Sequence, residues 1–423
     1  MQNLKLLALS KKMYDLAIIG AGAGGIACAK QAVKAGLKTT LIEKERGAFG
    51  GICLNKGCIP TKLFLNAAKQ KKSWEEIYAE KNILIEKIKR PLFGHLEKSG
   101  VDVKWGNAAF IDNHTLRISD ETILAKNIII ATGSSPRKII ENSKAVFAED
   151  MFSLPILPRK FLILGGGYIG IEFASLLNAL GKEVLVVEKE DCILPMLDYH
   201  LSNRLRIILE TKGIKIQTGK TISDCNLDEF EMIILAAGRE ANTAGLDIEK
   251  VSIETEKNGC IKTDKTLRTK SDNIYACGDV TGKMLAYIAE YQAEICLENI
   301  SGKNTEENLF GIPSCAFSLP QVAKVGILET EAKEQNIKYR IIRSNFMKFS
   351  SAHVYNDSDG FMEILVDENN KILGAGIISN TACELISIFS LALRNGLTVK
   401  DMKKCLFVHP TMSEIIPLLL KES

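Results

Sequence analysis

With 423 residues the chain has room for two or three domains, each able to bury a sizeable core. Its 54 basic and 51 acidic residues leave a net charge of +3 with no block of like sign, which argues against nucleic acid as the main partner. Eleven cysteines are scattered singly apart from one close pair, so no secreted-type disulfide framework is present and a reducing, cytoplasmic compartment is expected.

Residues 1–12 read as a loose tail or a misassigned start: the apolar stretch Leu6 to Leu9 is too brief for a signal peptide, and no small-residue cleavage site follows. Tyr14 to Ile19 is a strand candidate. It runs into Gly20-Ala21-Gly22-Ala23-Gly24-Gly25, a helix through Ala35, a stop at Gly36 and a second strand, Thr39 to Ile42, closing on Glu43. A Gly-x-Gly-x-x-Gly pattern alone is weak, but between strand and helix, with an acid ending the next strand, it marks a dinucleotide-binding unit. Gly20 makes the turn, Gly22 lets the backbone approach a pyrophosphate, Gly25 allows close helix packing, and Glu43 can accept both hydroxyls of a ribose.

Gly50 to Lys62 reads Gly-Gly-Ile-Cys-Leu-Asn-Lys-Gly-Cys-Ile-Pro-Thr-Lys, with four residues between Cys53 and Cys58. One turn of chain can bring such thiols within disulfide distance; Asn55 and Gly57 permit the tight backbone, and Pro60 marks a helix opening. A thiol at a helix N-terminus ionises readily, so the pair can shuttle between dithiol and disulfide. The spacing alone also fits ordinary buried thiols or half of a metal site. Further on, Ser73 to Glu76 forms a capping box that opens a helix, which Pro91 interrupts.

Asn127 to Ala131, entering Thr132-Gly133-Ser134, and Phe161 to Leu164 read as buried parallel strands, too short to cross a bilayer. The second leads into Gly165-Gly166-Gly167-Tyr168-Ile169-Gly170, a helix through Leu180, and the strand Val184 to Val187 with Glu188. The same number of residues separates Gly20 from Gly165 and Glu43 from Glu188, so a second dinucleotide unit repeats the first in register. Glu188 would repel a 2′-phosphate, which favours NAD over NADP. Between Gly213 and the closing strand Met232 to Ala236, which enters Ala237-Gly238-Arg239, only Lys215 to Gln217 reads as a strand. Ile274 to Val280 is a strand ending in a turn at Asp279, where an Asp either bonds a polyol chain or caps the next helix.

From about Leu309 to Ser423 the pattern changes. Phe361 to Val366 and Ile372 to Ile378 alternate around Asp367 to Lys371 as a hairpin, followed by an apolar helix from Thr381 to Arg394 that Asn395-Gly396 terminates. His409 before a proline reads by itself as a turn residue. Glu414, five residues on, changes that reading, because a carboxylate bonded to one ring nitrogen fixes the tautomer and leaves the other nitrogen as a base.

Taken in order, Gly20 to Gly25 with Glu43, Cys53 to Lys62, Ala131-Thr132-Gly133, Gly165 to Gly170, Ala237-Gly238-Arg239, Cys277-Gly278-Asp279 and His409 to Glu414 resemble the pyridine nucleotide-disulfide oxidoreductases, from Met13 onward. The resemblance implies an α/β protein with two Rossmann-like dinucleotide-binding domains, for FAD and NAD, and a C-terminal α+β dimerisation domain. Residues 1–140 and 271–308 would bind FAD, 141–270 NAD, and 309–423 would form the interface of a homodimer. By the same resemblance Cys53 and Cys58 are the redox disulfide and His409 with Glu414 is the base. Lys62, paired with Glu172, lies by the reactive flavin nitrogen, and Asp279 contacts the ribityl chain. Gly106 and Ala108 match a backbone contact to the adenosine half of the flavin; Thr132, Gly133, Gly167 and Gly238 fall in the nucleotide motifs, and no metal site is implied.

Three positions narrow the resemblance to the dihydrolipoamide-oxidising branch. Leu54 and Thr61 stand where glutathione reductases usually carry Val and Lys, Glu188-Lys189-Glu190 replaces their basic cluster, and Leu418 to Ser423 lacks the vicinal cysteines of mercuric reductases. The implied partner is a lipoyl-carrying protein, either the E2 component of a 2-oxoacid dehydrogenase or the H protein of glycine cleavage, and neither nucleic acid nor membrane. The competing readings are another flavin disulfide reductase, acting on glutathione, another thiol or mercuric ion, and a non-catalytic flavoprotein. The segments Gln70 to Gly100 and Gly213 to Met232 are short for the family.

Overall fold

The computed structural model describes residues 13–422; the tail expected over residues 1–12 lies outside them. The chain forms two compact units, one from Met1–Pro60, Tyr78–Arg137 and Arg239–Asn308, the other from Thr61–Ile77, Lys138–Gly238 and Leu309–Ser423.

The first unit opens with β1 (Tyr14–Ile19), buried along nearly its whole length, as an unbroken apolar strand must be. It leads into α1 (Ala23–Lys34) and β2 (Thr39–Glu43), within a residue of the predicted elements. The two cysteines of the motif sit on separate helices. Cys53 lies within α2 (Gly51–Asn55), and α3 (Cys58–Lys69) begins on Cys58 itself, earlier than Pro60 suggested. Pro60 is tolerated because N–H groups in the first helical turn have no intrahelical acceptor to lose. Nor does Pro91 interrupt its helix: α4 (Trp74–Lys98) runs through it for 25 residues. One lost backbone bond does not end a helix anchored by buried Ile85 and Leu96 and opened by the predicted capping box. In that box the Ser73 N–H reaches the Glu76 carboxylate at 2.7 Å and the Glu76 N–H reaches the Ser73 hydroxyl at 3.3 Å.

The sheet is completed by β3 (Asp102–Trp105), β4 (Ala108–Asp112), β5 (Thr115–Ile118) and β6 (Glu121–Ile130), in the order β3-β2-β1-β6-β5-β4. It is parallel from β3 to β6 and antiparallel where β5 and β4 fold back, so β6 starts well before the predicted Asn127. A short strand, β7 (Ser134–Pro136), follows.

In the second unit β8 (Ala145–Phe147), β9 (Lys160–Leu164), α5 (Tyr168–Ala179), β10 (Glu183–Val187), α6 (Tyr199–Thr211), β11 (Lys215–Gln217) and β12 (Met232–Leu235) repeat the pattern. They form a wholly parallel sheet, β11-β10-β9-β12-β8, in which β11 is the single strand expected after Gly213. Residues 61–77 group here for an aromatic reason. Phe64 and Trp74 have ring centroids 4.3 Å apart and both pack on Phe152, which contacts Phe173; the Trp74 indole N–H reaches Leu154 O at 2.8 Å. Aromatic rings buried this fully are worth roughly 3–5 kcal/mol each on truncation to alanine.

Residues 239–270, read from sequence as part of the second nucleotide domain, group instead with the first unit. There β13 (Arg239–Ala241) pairs with β7, and Leu246, Val251, Ile253 and Ile261 enter the core that holds Ile19, Phe110 and Ile128. β14 (Ile274–Ala276) then adds to β6, and α7 (Ala286–Ile300) packs on α1.

The rest of the second unit is an antiparallel sheet built from β15 (Ser314–Ala316), β16 (Gln321–Gly326), β17 (Arg340–Asn345), β18 (Phe361–Val366) and β19 (Ile372–Ser379), in the order β15-β16-β19-β18-β17. The predicted hairpin, β18 with β19, lies at its centre. The helix α8 (Ala382–Arg394) lays Leu385, Ile386 and Phe389 into the core and stops at Asn395 and Gly396, as the sequence indicated. Among the described residues no helix is long and apolar enough to cross a membrane.

One charge in this sheet is costly. Glu363, fully buried on β18, accepts from Arg343 Nε at 3.1 Å through Oε2, but Oε1 has no hydrogen-bond partner among the described residues. Burial pushes its pKa up to about 7, helped by the negative charges of Asp198 and Glu329 and only partly opposed by Arg343. A carboxyl raised from 4.5 in the unfolded chain to about 7 in the fold binds more protons when native, so its contribution to stability is present below 4.5 and is lost as pH rises to about 7. The loss is roughly 3 kcal/mol at most. Thermal unfolding followed against pH is expected to show this decline in the unsubstituted protein and a flatter profile in Glu363→Gln. Equal slopes in the two proteins would show that Glu363 is not the titrating group.

Candidate active site

The two glycine turns share one construction. Gly20 has φ +105° and Gly165 φ +111°, and a Cβ on them would stand 2.3 Å from Ala131 O and 2.5 Å from Ala236 O. A Cβ on Gly25 or Gly170 would stand 1.8 or 1.9 Å from the carbonyl oxygen of Gly20 or Gly165. The middle glycines, Gly22 and Gly167, are the N-caps of α1 and α5 and supply no side-chain cap. Among the described residues nothing lies within 4 Å of where a Cβ on Gly167 would be, and only Gly51 Cα, at 3.8 Å, comes that near Gly22. Uncapped N–H groups behind open space are what a pyrophosphate requires. The acids fit as well: buried Glu43 accepts the Ala21 N–H at 2.9 Å, and buried Glu188 accepts the Gly166 N–H at 2.5 Å. Both turns therefore suit a dinucleotide.

In the first unit the remaining predicted positions gather near Glu43 and the end of β6. Gly106, at φ +143°, donates its N–H to Glu43 O at 2.9 Å, and Ala108 is buried on β4. The Thr132 hydroxyl donates to Asn242 O at 2.7 Å, and Gly133 O accepts the Asn242 N–H at 3.0 Å. Asp279 does not cap α7. It sits in a short 3₁₀ turn (Gly278–Thr281), where Oδ2 accepts the Ser134 hydroxyl at 2.6 Å and Ser134 in turn accepts from Arg239 Nε at 2.8 Å. Sequence reasoning missed Ser134, Arg239, Asn242 and Gln292, the last a buried amide whose Oε1 accepts the Gly278 N–H at 2.6 Å. Their partners are distant in sequence, apart from that of Gln292, and none carries a spacing pattern.

The cysteine segment is seated on the first glycine turn. The Gly50 N–H donates to Ala21 O at 2.9 Å, and a Cβ on Gly51 would lie 2.7 Å from Gly22 Cα. Asn55 does more than permit the turn: its amide donates to Gly51 O at 2.8 Å and Phe49 O at 3.0 Å, closing α2 with a side chain. Cys53 is half-buried and Cys58 exposed, the latter at the first position of α3, where helical partial charge favours a thiolate.

In the second unit Lys62 Nζ stands 2.9 and 2.8 Å from the two oxygens of buried Glu172. The Phe317 N–H donates to the same carboxylate at 2.9 Å, and its ring lies 4.4 Å from the ammonium. Gly238 has φ +97° at the end of the second nucleotide unit. His409 Nδ1 is 2.8 Å from Glu414 Oε2, with the imidazole 73% exposed and the carboxylate 10% exposed. The loop around it is pinned by the Thr411 hydroxyl to Val408 O at 2.6 Å and by Tyr355, whose hydroxyl donates to Pro410 O at 3.1 Å. Tyr355 had no signal in the sequence.

Two Rossmann units, a dithiol motif and an antiparallel C-terminal sheet define a flavin-linked disulfide oxidoreductase. The pyridine nucleotide-disulphide oxidoreductase profile matches residues 14–293 and that family's dimerisation domain matches residues 312–419, so the chain belongs to this family of FAD- and NAD-using enzymes. It is 34% identical to the dihydrolipoyl dehydrogenase of Chlamydia muridarum, over 95% of both chains, and 33% identical to one from Bacillus subtilis, over 95% of this chain and 94% of that one. Among solved structures it resembles the HOCl-induced flavoprotein disulfide reductase RclA from Escherichia coli, with a TM-score of 0.91, 29% identity and coverage of 96% of this chain and 99% of that one.

The position of Glu188 sets an expectation for the nucleotide. Its buried carboxylate would meet a 2′-phosphate, so kcat/KM for NADPH should fall well below that for NADH, and Glu188→Arg should narrow the gap by about tenfold, the equivalent of ~1.4 kcal/mol. Equal values for the two nucleotides in the unsubstituted protein would overturn this role for Glu188.

Proposed function

We propose that the chain oxidises protein-bound dihydrolipoamide to lipoamide and delivers the electrons to NAD, as a cytoplasmic homodimer. The observation that carries this reading is the His409–Glu414 bond of 2.8 Å, which gives an exposed imidazole a fixed tautomer beside a dithiol enzyme's need for a base. The naming of relatives at 33–34% identity supports the lipoyl substrate. Residues 1–140 and 239–308 would hold FAD, 141–238 NAD, and 309–423 the dimer contact. The contacts would come from Gly20, Gly22, Gly25, Glu43, Gly106, Ala108, Thr132, Gly133 and Asp279 for FAD, and from Gly165, Gly167, Gly170, Glu188 and Gly238 for NAD.

Bound FAD supplies a two-electron link between the Cys53–Cys58 pair and NAD. His409 of the partner subunit takes a proton from one dihydrolipoamide thiol, and the resulting thiolate attacks Cys53 Sγ. The Cys53–Cys58 bond breaks and Cys58 leaves as a thiolate, favoured by its place at the start of α3. The second substrate thiol then attacks the mixed disulfide at the substrate's sulfur, which closes lipoamide and releases Cys53 with the proton. Lys62, held by Glu172, keeps a positive charge near the flavin.

A second reading, another disulfide or metal-ion reductase of this family, is favoured by the likeness to RclA. Assays of NADH and NADPH against lipoamide, glutathione disulfide and mercuric ion separate the two. The base in trans has its own test. His409→Gln dimers and Cys53→Ser dimers should each be inactive, since losing a general base costs ~10²–10⁴-fold. Subunit exchange at equal concentrations makes about half the dimers mixed, each with one intact site, so roughly a quarter of the original activity should return. If mass spectrometry shows mixed dimers and no activity returns, base and disulfide belong to one chain.

A further inference from the structure

The second unit holds another pair of thiols that the proposed reaction does not use. Cys315 lies on β15, paired with Ala323 of β16, and Cys383 is the second residue of α8; both are half-buried. The two elements are locked together because the Cys383 N–H donates at 3.0 Å to Oε1 of Gln321, the first residue of β16. The side chains of Cys315 and Cys383 are hydrogen-bonded to each other. Two residues after Cys315, Phe317 gives its N–H to Glu172 and its ring face to Lys62, which brings that ion pair within electrostatic reach of the Cys315 sulfur.

We propose that Cys315 and Cys383 are a second redox dithiol, which a hydroperoxide closes to an intrachain disulfide. The roles of the two sulfurs are unequal. The bond from Cys383, with Lys62 nearby, holds the Cys315 thiol below the ordinary thiol range, whereas the same bond and burial push Cys383 well above it. Cys315 is thus the nucleophile and Cys383 the resolving thiol. In the first step the Cys315 thiolate attacks one peroxide oxygen, the O–O bond breaks, and hydroxide leaves and is protonated to water; Cys315 becomes a sulfenic acid. Cys383 then attacks that sulfur, the S–O bond breaks and a second water leaves. One hydrogen peroxide is reduced to two waters and two thiols are oxidised to one disulfide. The product ties β15 to the start of α8 and removes a negative charge beside Lys62.

The test uses the full chain with Cys53→Ser and Cys58→Ser, so that the proposed catalytic pair contributes nothing and the outcome is independent of the lipoamide reading. Hydrogen peroxide should remove two thiols per chain, and non-reducing peptide mapping should find Cys315 joined to Cys383, reversed by a phosphine reductant. Adding Cys383→Ser should stop oxidation at a Cys315 sulfenic acid, trapped as a single dimedone adduct. Adding Cys315→Ser should slow thiol loss by at least about tenfold, since the thiolate is the reactive form. The same mapping on the unsubstituted protein needs no further substitution to fold. No thiol loss, loss without the Cys315–Cys383 peptide, or an unchanged rate in Cys315→Ser overturns the proposal.

Discussion

The nucleotide halves of this protein depend on a contact too close for any side chain. At Gly25 and Gly170 the third glycine of each turn lies so near the carbonyl of the first that a single methyl would overlap it. That contact lets α1 start directly behind β1, and α5 directly behind β9, with their N–H groups uncapped and facing open space. The same closeness recurs between Gly51 and Gly22, and it seats the helix that carries Cys53 on the first turn. Placement of the redox motif therefore follows from backbone sterics before any side-chain chemistry enters.

Wherever such a rigid constraint acts locally, the sequence announces it. The strand, turn, helix and strand of both units fall within a residue or two of where the glycine spacing and apolar runs put them, and His409 does meet Glu414 as their spacing indicated. Misreadings arise where long-range packing outweighs a local signal. Pro91 is a strong local breaker, yet α4 passes through it because buried residues on either side hold the helix. Residues 239–270 follow a strand of the second parallel sheet, but β13 needs β7 as a partner, and apolar side chains from Leu246 to Ile261 complete the first core. Neither fact is present in any short window.

The candidate site divides the same way. Charged and sulfur-bearing groups were legible because their chemistry restricts which residues can serve. The residues that hold them were not: Ser134 under Asp279, Asn242 under Thr132 and Phe317 beside Lys62 are ordinary residues whose roles arise only from folding. Distant partners of this kind fix a carboxylate or hydroxyl without adding charge, which keeps the flavin side of the first unit polar but electrically quiet.

The ion pair of Lys62 and Glu172 shows why these layers cannot be separated. Glu172 is buried, and a buried carboxylate is tolerated only when its oxygens are satisfied; Lys62 meets both and the Phe317 N–H meets one of them again. Because Phe317 stands just past β15, the electrostatics around Lys62 are tied to the edge of the antiparallel sheet, where Cys315 lies. Removing Glu172 would strand an ammonium over an aromatic ring and free a backbone N–H in a partly dry site, two penalties of roughly 1–3 kcal/mol each. The ion pair thus couples the charge the flavin reaction uses to the thiol chemistry at that sheet edge, and any change in the state of Cys315 is felt first at Lys62.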